Sequence, residues 1–165
     1  MAKLKPLIAL ALCLASLATS LMVSPALAAP TDAPAAEMVH VLELVNAERA
    51  NYGLGPLTYN ENLASSAQTY ANLMADLNFF AHTAPDGSTI VGRAEAAGYD
   101  SWLFLAENLA GGQPGPDQVV AAWMTSPGHR ANILSAEATE VGVGHTFKGG
   151  TRFGHYWALE FGTRW

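Results

Sequence analysis

Cysteine is nearly missing from the 165-residue sequence: Cys13 stands alone. One thiol cannot build an intrachain disulfide framework. Charge is also scarce, at 13% of residues, and it is tilted to acid, with 8 Lys+Arg against 14 Asp+Glu. A net charge of −6 with no basic run gives no positive face for a phosphate backbone, so nucleic acid is not an expected partner. No HExxH, GxSxG, P-loop or GxGxxG motif occurs. Half the residues are hydrophobic, which excludes global disorder, and the length suits one domain.

The chain opens as an export leader. Lys3 and Lys5 precede the apolar run Leu7 to Ala18, and Ala26-Leu27-Ala28 is a small-x-small cleavage site. Residues 1–28 are therefore read as a signal peptide, 29–37 as a linker rich in Pro and Ala, and 38–165 as the domain. The expected location is secreted, extracellular or periplasmic. Membrane association follows only if the leader stays uncleaved and acts as an anchor. Cleavage removes Cys13, which excludes a cysteine nucleophile, a thiolate zinc knuckle and a cysteine-held iron–sulfur cluster.

Helical periodicity comes first along the domain. Met38, Val41, Leu42 and Val45 share one face. Asn60 reads as the N-cap of a second helix with the stripe Leu63, Ala67, Tyr70, Ala71, Met74. Pro85-Asp86-Gly87 is a turn, and a short helix over Thr89 to Ala97 stops at Gly98. Pro116-Asp117 starts another helix ending near Thr125, and Ser126-Pro127 starts a short one with Ser126 as its cap. The period then changes to two. Val141, Val143, His145 and Phe147 form a bulky face, with Gly142, Gly144 and Thr146 on the small one. A second alternation runs from Phe153 to Gly162, joined through Lys148-Gly149-Gly150 as a hairpin. The glycine face predicts close approach by a helix. Helices first and strands last imply an α+β domain, helices packed on a small antiparallel sheet.

Five polar residues sit in apolar or glycine-rich surroundings: His82, Glu107, Ser126, His129 and Glu140. His82 reads either as a helix-ending histidine or as a ligand. Glu107 lies within the apolar run 103–110 and requires a partner, because an unpaired buried carboxylate costs several kcal/mol. That partner is a cation or metal, or else backbone amides or Arg130. Ser126 and His129 share a helical face, as a nucleophile and base would, although Ser126 already serves as a cap. His145 and His155 fall on apolar strand faces and read as packed histidines. Trp102, Phe104, Trp123, Trp157, Phe161 and Trp165 are assigned to the core.

Taken in order, four segments resemble the CAP superfamily of cysteine-rich secretory, antigen 5 and pathogenesis-related proteins, in its cysteine-free bacterial SCP-like branch. They are Leu44-Val45-Asn46-Ala47-Glu48-Arg49 with Leu54-Gly55-Pro56-Leu57; Phe80-Ala81-His82-Thr83-Ala84-Pro85-Asp86-Gly87; Ala106-Glu107-Asn108-Leu109-Ala110; and residues 123–134 around Ser126-Pro127-Gly128-His129-Arg130. The resemblance covers residues 38–165. It implies an α–β–α sandwich with a central cleft, and a divalent cation such as zinc held by His82, Glu107 and His129. The family's second glutamate is replaced by Ser126 here; Glu140 and Glu160 are the candidate substitutes. Two imidazoles and a carboxylate suit an open zinc site. The expected function is ligand binding, the ligand being a lipid, cell-wall or host-surface component. The alternative is a metal-dependent hydrolase of peptide, ester or glycan bonds. A third reading makes the cleft a purely structural hydrogen-bond network.

Overall fold

The computed structural model describes Met1 and residues 35–165. The leader and the linker through residue 34 lie outside the described residues. The elements are α1 (Ala36–Asn51), β1 (Thr58–Tyr59), α2 (Glu61–Asp76), α3 (Ile90–Ala96), β2 (Trp102–Gly111), α4 (Pro116–Thr125), α5 (Pro127–Ile133), β3 (Glu140–Phe147) and β4 (His155–Arg164). Helix α1 opens two residues ahead of the expected domain start. Among the described residues, no helix is long and apolar enough to cross a membrane.

The strands form one sheet in the order β1-β3-β4-β2. The expected antiparallel hairpin holds for β3 with β4; β2, a strand the sequence did not mark, pairs antiparallel with the other edge of β4. Strand β1 adds a two-residue parallel edge beside β3, so the sheet is mixed. Helices cover both faces. On one side Val41 and Val45 of α1, Trp123 of α4 and Ile133 of α5 pack with Val141, Val143, Trp157, Leu159 and Phe161. On the other side Ala67, Tyr70 and Met74 of α2 pack with Leu109, Tyr156 and Ala158. Each large apolar side chain buried this way contributes roughly 1.5–3 kcal/mol. The result is the α–β–α sandwich that the resemblance implied.

Local chemistry sets the helix ends. The Asn60 side chain accepts from the amides of Asn62 (3.0 Å) and Leu63 (3.1 Å), the expected cap of α2. Gly87 turns the Pro85–Gly87 loop at φ +88°. Arg49 is buried at the end of α1, where its guanidinium donates to the carbonyls of Gly55 (2.8 Å), Ile133 (2.7 Å) and Ser135 (2.8 Å). It thereby ties α1 to the exit of α5. Trp165, assigned to the core from its type alone, is 90% exposed at the chain end. The other aromatics assigned there split: Trp123, Trp157 and Phe161 are fully buried, while Trp102 and Phe104 are half-buried.

Candidate functional site

The site lies at the edge strand β2, which α3 and α5 flank from opposite faces of the sheet. Neighbouring residues of a strand point to opposite faces. Glu107 therefore faces the α2–α3 layer and Asn108 the α5 layer. Asn108 donates to the backbone carbonyl of His129 (2.9 Å). Asn132 donates to the carbonyl of Glu107 (3.2 Å) and to the side-chain oxygen of Asn108 (2.8 Å). These bonds fix α5, and with it His129, against β2.

Glu107 is buried, and both of its oxygens are engaged. Oε1 meets Nδ1 of His82 at 2.7 Å, and Oε2 accepts from Nη2 of Arg93 at 2.6 Å. Arg93 also donates through Nη1 to the carbonyls of His82 (3.3 Å) and Ser88 (3.1 Å), and it stacks 3.4 Å above the Tyr70 ring. The Tyr70 hydroxyl holds the carbonyl of Ala81 at 2.5 Å. Burial pushes this phenol up to about 12, so it stays a donor. One arginine and one tyrosine thus fix both the carboxylate and the loop that presents His82. The His82 side chain is 61% exposed, with Nδ1 turned inward to Glu107. Burial lowers the pKa of His129, and the nearby His82 lowers it further, so His129 is neutral at pH 7.

The structure brings together His82, Glu107 and, within electrostatic reach of His82, His129. Ser126 occupies the N-cap position of α5, but its hydroxyl makes no capping hydrogen bond. Glu140 is engaged elsewhere on the sheet, with Asn60 (2.8 Å), Tyr99 (2.7 Å) and Arg164 (3.1 Å). Burial favours its neutral form, but the bonds from those three partners outweigh burial and hold its pKa down. The partner required by Glu107 is Arg93, a residue the sequence did not single out. Arg130 bonds the Tyr52 hydroxyl instead.

A three-ligand cation site does not fit this arrangement as it stands. A guanidinium occupies the oxygen that a metal would need, and His82 holds the other. Among the described residues, no three His, Cys, Asp or Glu side chains are grouped so as to hold a metal ion.

Glu160 pairs across the strands with Glu107 and is fully buried. Ser66 donates to its Oε1 at 3.1 Å, and Oε2 has no partner among the described residues. Burial pushes its pKa up to about 8; the Ser66 bond opposes this and the Glu107 charge adds to it. Glu160 is thus a neutral acid beside the Glu107 carboxyl that Arg93 pairs. The folded state holds a proton that the unfolded chain loses above about 4.5. The protonated acid's contribution is complete below that pH. From there to about 8, stability falls as pH rises, and then levels off. In Glu160→Gln this slope should vanish, so the variant's melting temperature gains on the wild type's steadily from pH 5 to pH 8. Parallel melting curves would show that Glu160 is ionised in the fold.

Comparison with known proteins agrees with this architecture. The model of the cysteine-rich secretory protein family, CAP, matches residues 42–161. The chain is 39% identical over 134 residues to the uncharacterized protein YkwD of Bacillus subtilis (strain 168), covering 79% of this chain and 50% of that one. It is 28% identical over 125 residues to the uncharacterized membrane protein YlbC of the same organism, covering 76% and 34%. The chain therefore spans half or less of these curated relatives. Among solved structures it matches an extracellular protein containing an SCP domain from Bacillus anthracis str. Ames, with TM-score 0.69, 24% identity and coverage of 78% and 40%. It also matches an outer surface protein from Borrelia burgdorferi, with TM-score 0.66, 24% identity and coverage of 76% and 90%. At these identities the structural likeness speaks for the fold. With the family model covering most of the domain, the chain belongs to the CAP, or cysteine-rich secretory protein, family, as a bacterial SCP-like member.

Proposed function

We propose that the protein is an exported binding module whose ligand, a cell-envelope component, docks at the β2 edge against His82 and His129. One observation carries this reading: the buried Glu107 is neutralised by Arg93 and holds the inner nitrogen of a largely exposed imidazole. Such a carboxylate–imidazole pair fixes ring orientation and leaves Nε2 turned outward as a preorganised polar contact. Export is supported by two proteins of similar fold, one described as an extracellular protein containing an SCP domain and the other as an outer surface protein. A divalent cation, zinc above all, belongs to the proposal through the imidazoles of His82 and His129, with Glu107 orienting rather than ligating.

The hydrolase alternative has one observation in its favour, the uncapped Ser126 hydroxyl three residues before His129. Neither its orienting acid nor an oxyanion hole is evident. The test is sedimentation of the protein with insoluble cell-wall sacculi, alongside zinc titration and a panel of peptide, ester and glycan substrates. The module reading expects retention on sacculi, lost in His82→Ala/His129→Ala with the circular dichroism unchanged. Equal retention by the double variant overturns it. Turnover lost in Glu107→Gln establishes the enzyme instead.

A further inference from the structure

A second histidine cluster lies on the opposite face of the sheet from Glu107. His145 of β3 and His155 of β4 are diagonal neighbours, since His145 pairs with Trp157 and Phe147 with His155. Their nitrogens, Nε2 of His145 and Nδ1 of His155, face each other at 3.0 Å. The other nitrogen of His145, Nδ1, meets Oε2 of Glu37 in the first turn of α1 at 2.9 Å. The His145 ring is clamped on Trp157, centroids 3.8 Å apart and planes 15° apart.

This bonding fixes the proton positions. A carboxylate only accepts, so Nδ1 of His145 donates to Glu37 and its Nε2 presents a lone pair. A carboxylate holding the far nitrogen of an imidazole is the arrangement that orients metal-bound histidines and raises their basicity. The spacing agrees as well. Two nitrogens each bound at about 2.0–2.1 Å to one ion are roughly 2.9 Å apart at a right angle and about 3.3 Å apart in a tetrahedron. The observed 3.0 Å falls between these values. The His145 side chain is only 11% exposed, so little rotamer freedom remains to be lost on binding. Burial also lowers its pKa, with Glu37 opposing, which favours the neutral ring.

We infer that His145 and His155 form a two-imidazole site for a late first-row divalent cation, with Glu37 as the orienting carboxylate and water completing the coordination. Neutral imidazole donors select copper, nickel and zinc over calcium and magnesium, and copper binds tightest in this series. On binding, His155 moves its ring proton from Nδ1 to Nε2, while His145 keeps its proton on Nδ1, donated to Glu37. No net proton is released when both rings begin neutral. The cation would join the start of α1 to the β3–β4 hairpin, apart from the cleft at β2.

The test is calorimetric titration of the full chain with copper(II) chloride, with electron paramagnetic resonance counting the bound nitrogens. In His82→Ala/His129→Ala, which lacks the cleft imidazoles, one equivalent should bind with two imidazole nitrogens, and the further variants are made in that background. His155→Ala and His145→Ala should each weaken it at least tenfold, and Glu37→Gln by about tenfold. His155→Phe, which keeps a ring beside Phe147, should behave as His155→Ala and guards against misfolding. Absence of binding, indifference to both His155 variants, or loss confined to the cleft variants would each overturn the inference.

Discussion

Alanine at Gly142 or Gly144 is expected to destabilise the protein by about 3 kcal/mol or more, lowering the melting temperature by roughly 10 °C. A Cβ at Gly142 would stand 2.1 Å from the amide nitrogen of Ala64 and 2.2 Å from the carbonyl carbon of Leu63. At Gly144 it would stand 2.3 Å from the carbonyl carbon of Ala67. All of these are backbone atoms of α2, so no side-chain rotation relieves the clash; the helix itself must lift from β3. Lifting it would also loosen Ser66, whose hydroxyl reaches Glu160 from the same helix. Gly149→Ala is the control, because a Cβ there meets nothing within 4 Å. Thermal melts of the three single variants give the answer. Equal melting temperatures for Gly142→Ala and Gly149→Ala would mean that α2 does not sit on the sheet at this distance.

That contact was legible in the sequence because it rests on a strict period. In β3, alternate residues shrink to glycine while their neighbours stay bulky, and only a backbone approaching the small face explains the pattern. The apolar faces of α1 and α2 and the Asn60 cap were legible for the same reason: each is a local rule with fixed spacing. Strand β2 was not. Its residues Trp102–Gly111 carry apolar side chains on both faces because helices cover both sides, so the alternation that marks a half-exposed strand is absent. The hairpin connection was only partly read. Lys148-Gly149-Gly150 begins it, but β4 starts at His155, so the loop is longer than those three residues.

Within the site, Glu107 announced a missing partner, and the sequence could not say which cation supplies it. Arg93 is 14 residues upstream, on a seven-residue helix, and reads as an ordinary surface residue. Only the packing of α3 beside β2 and the stacking on Tyr70 bring its guanidinium inside. Glu160 carried a fainter signal, an acid among apolar strand residues whose face points at a helix. That position marks a buried carboxyl, and its pairing with Glu107 required the strand register. His145 and His155 were placed correctly on the bulky face, but their mutual hydrogen bond depends on a diagonal across the hairpin that no linear spacing reveals.

Arg93→Met should cost about 3–5 kcal/mol at pH 7, because it strands a buried carboxylate and removes the guanidinium stacked on Tyr70. The loss should shrink as pH falls. Without the guanidinium the buried carboxylate of Glu107 has no compensating cation, and protonation at low pH removes the uncompensated charge. A double-mutant cycle separates this account from simple loss of packing. In Arg93→Met/Glu107→Gln neither charge remains, so much of the stability should return, and the coupling energy should exceed about 1 kcal/mol in urea unfolding. A packing role alone predicts that the two single losses add and that the Arg93→Met penalty is the same at pH 5 and pH 7. The cycle also bears on the proposed cleft. Arg93 holds the carbonyl of His82 as well as the carboxylate beneath its ring. The double variant should therefore regain stability without regaining the fixed His82 geometry. Ligand retention that recovered along with stability would detach recognition from the imidazole's orientation.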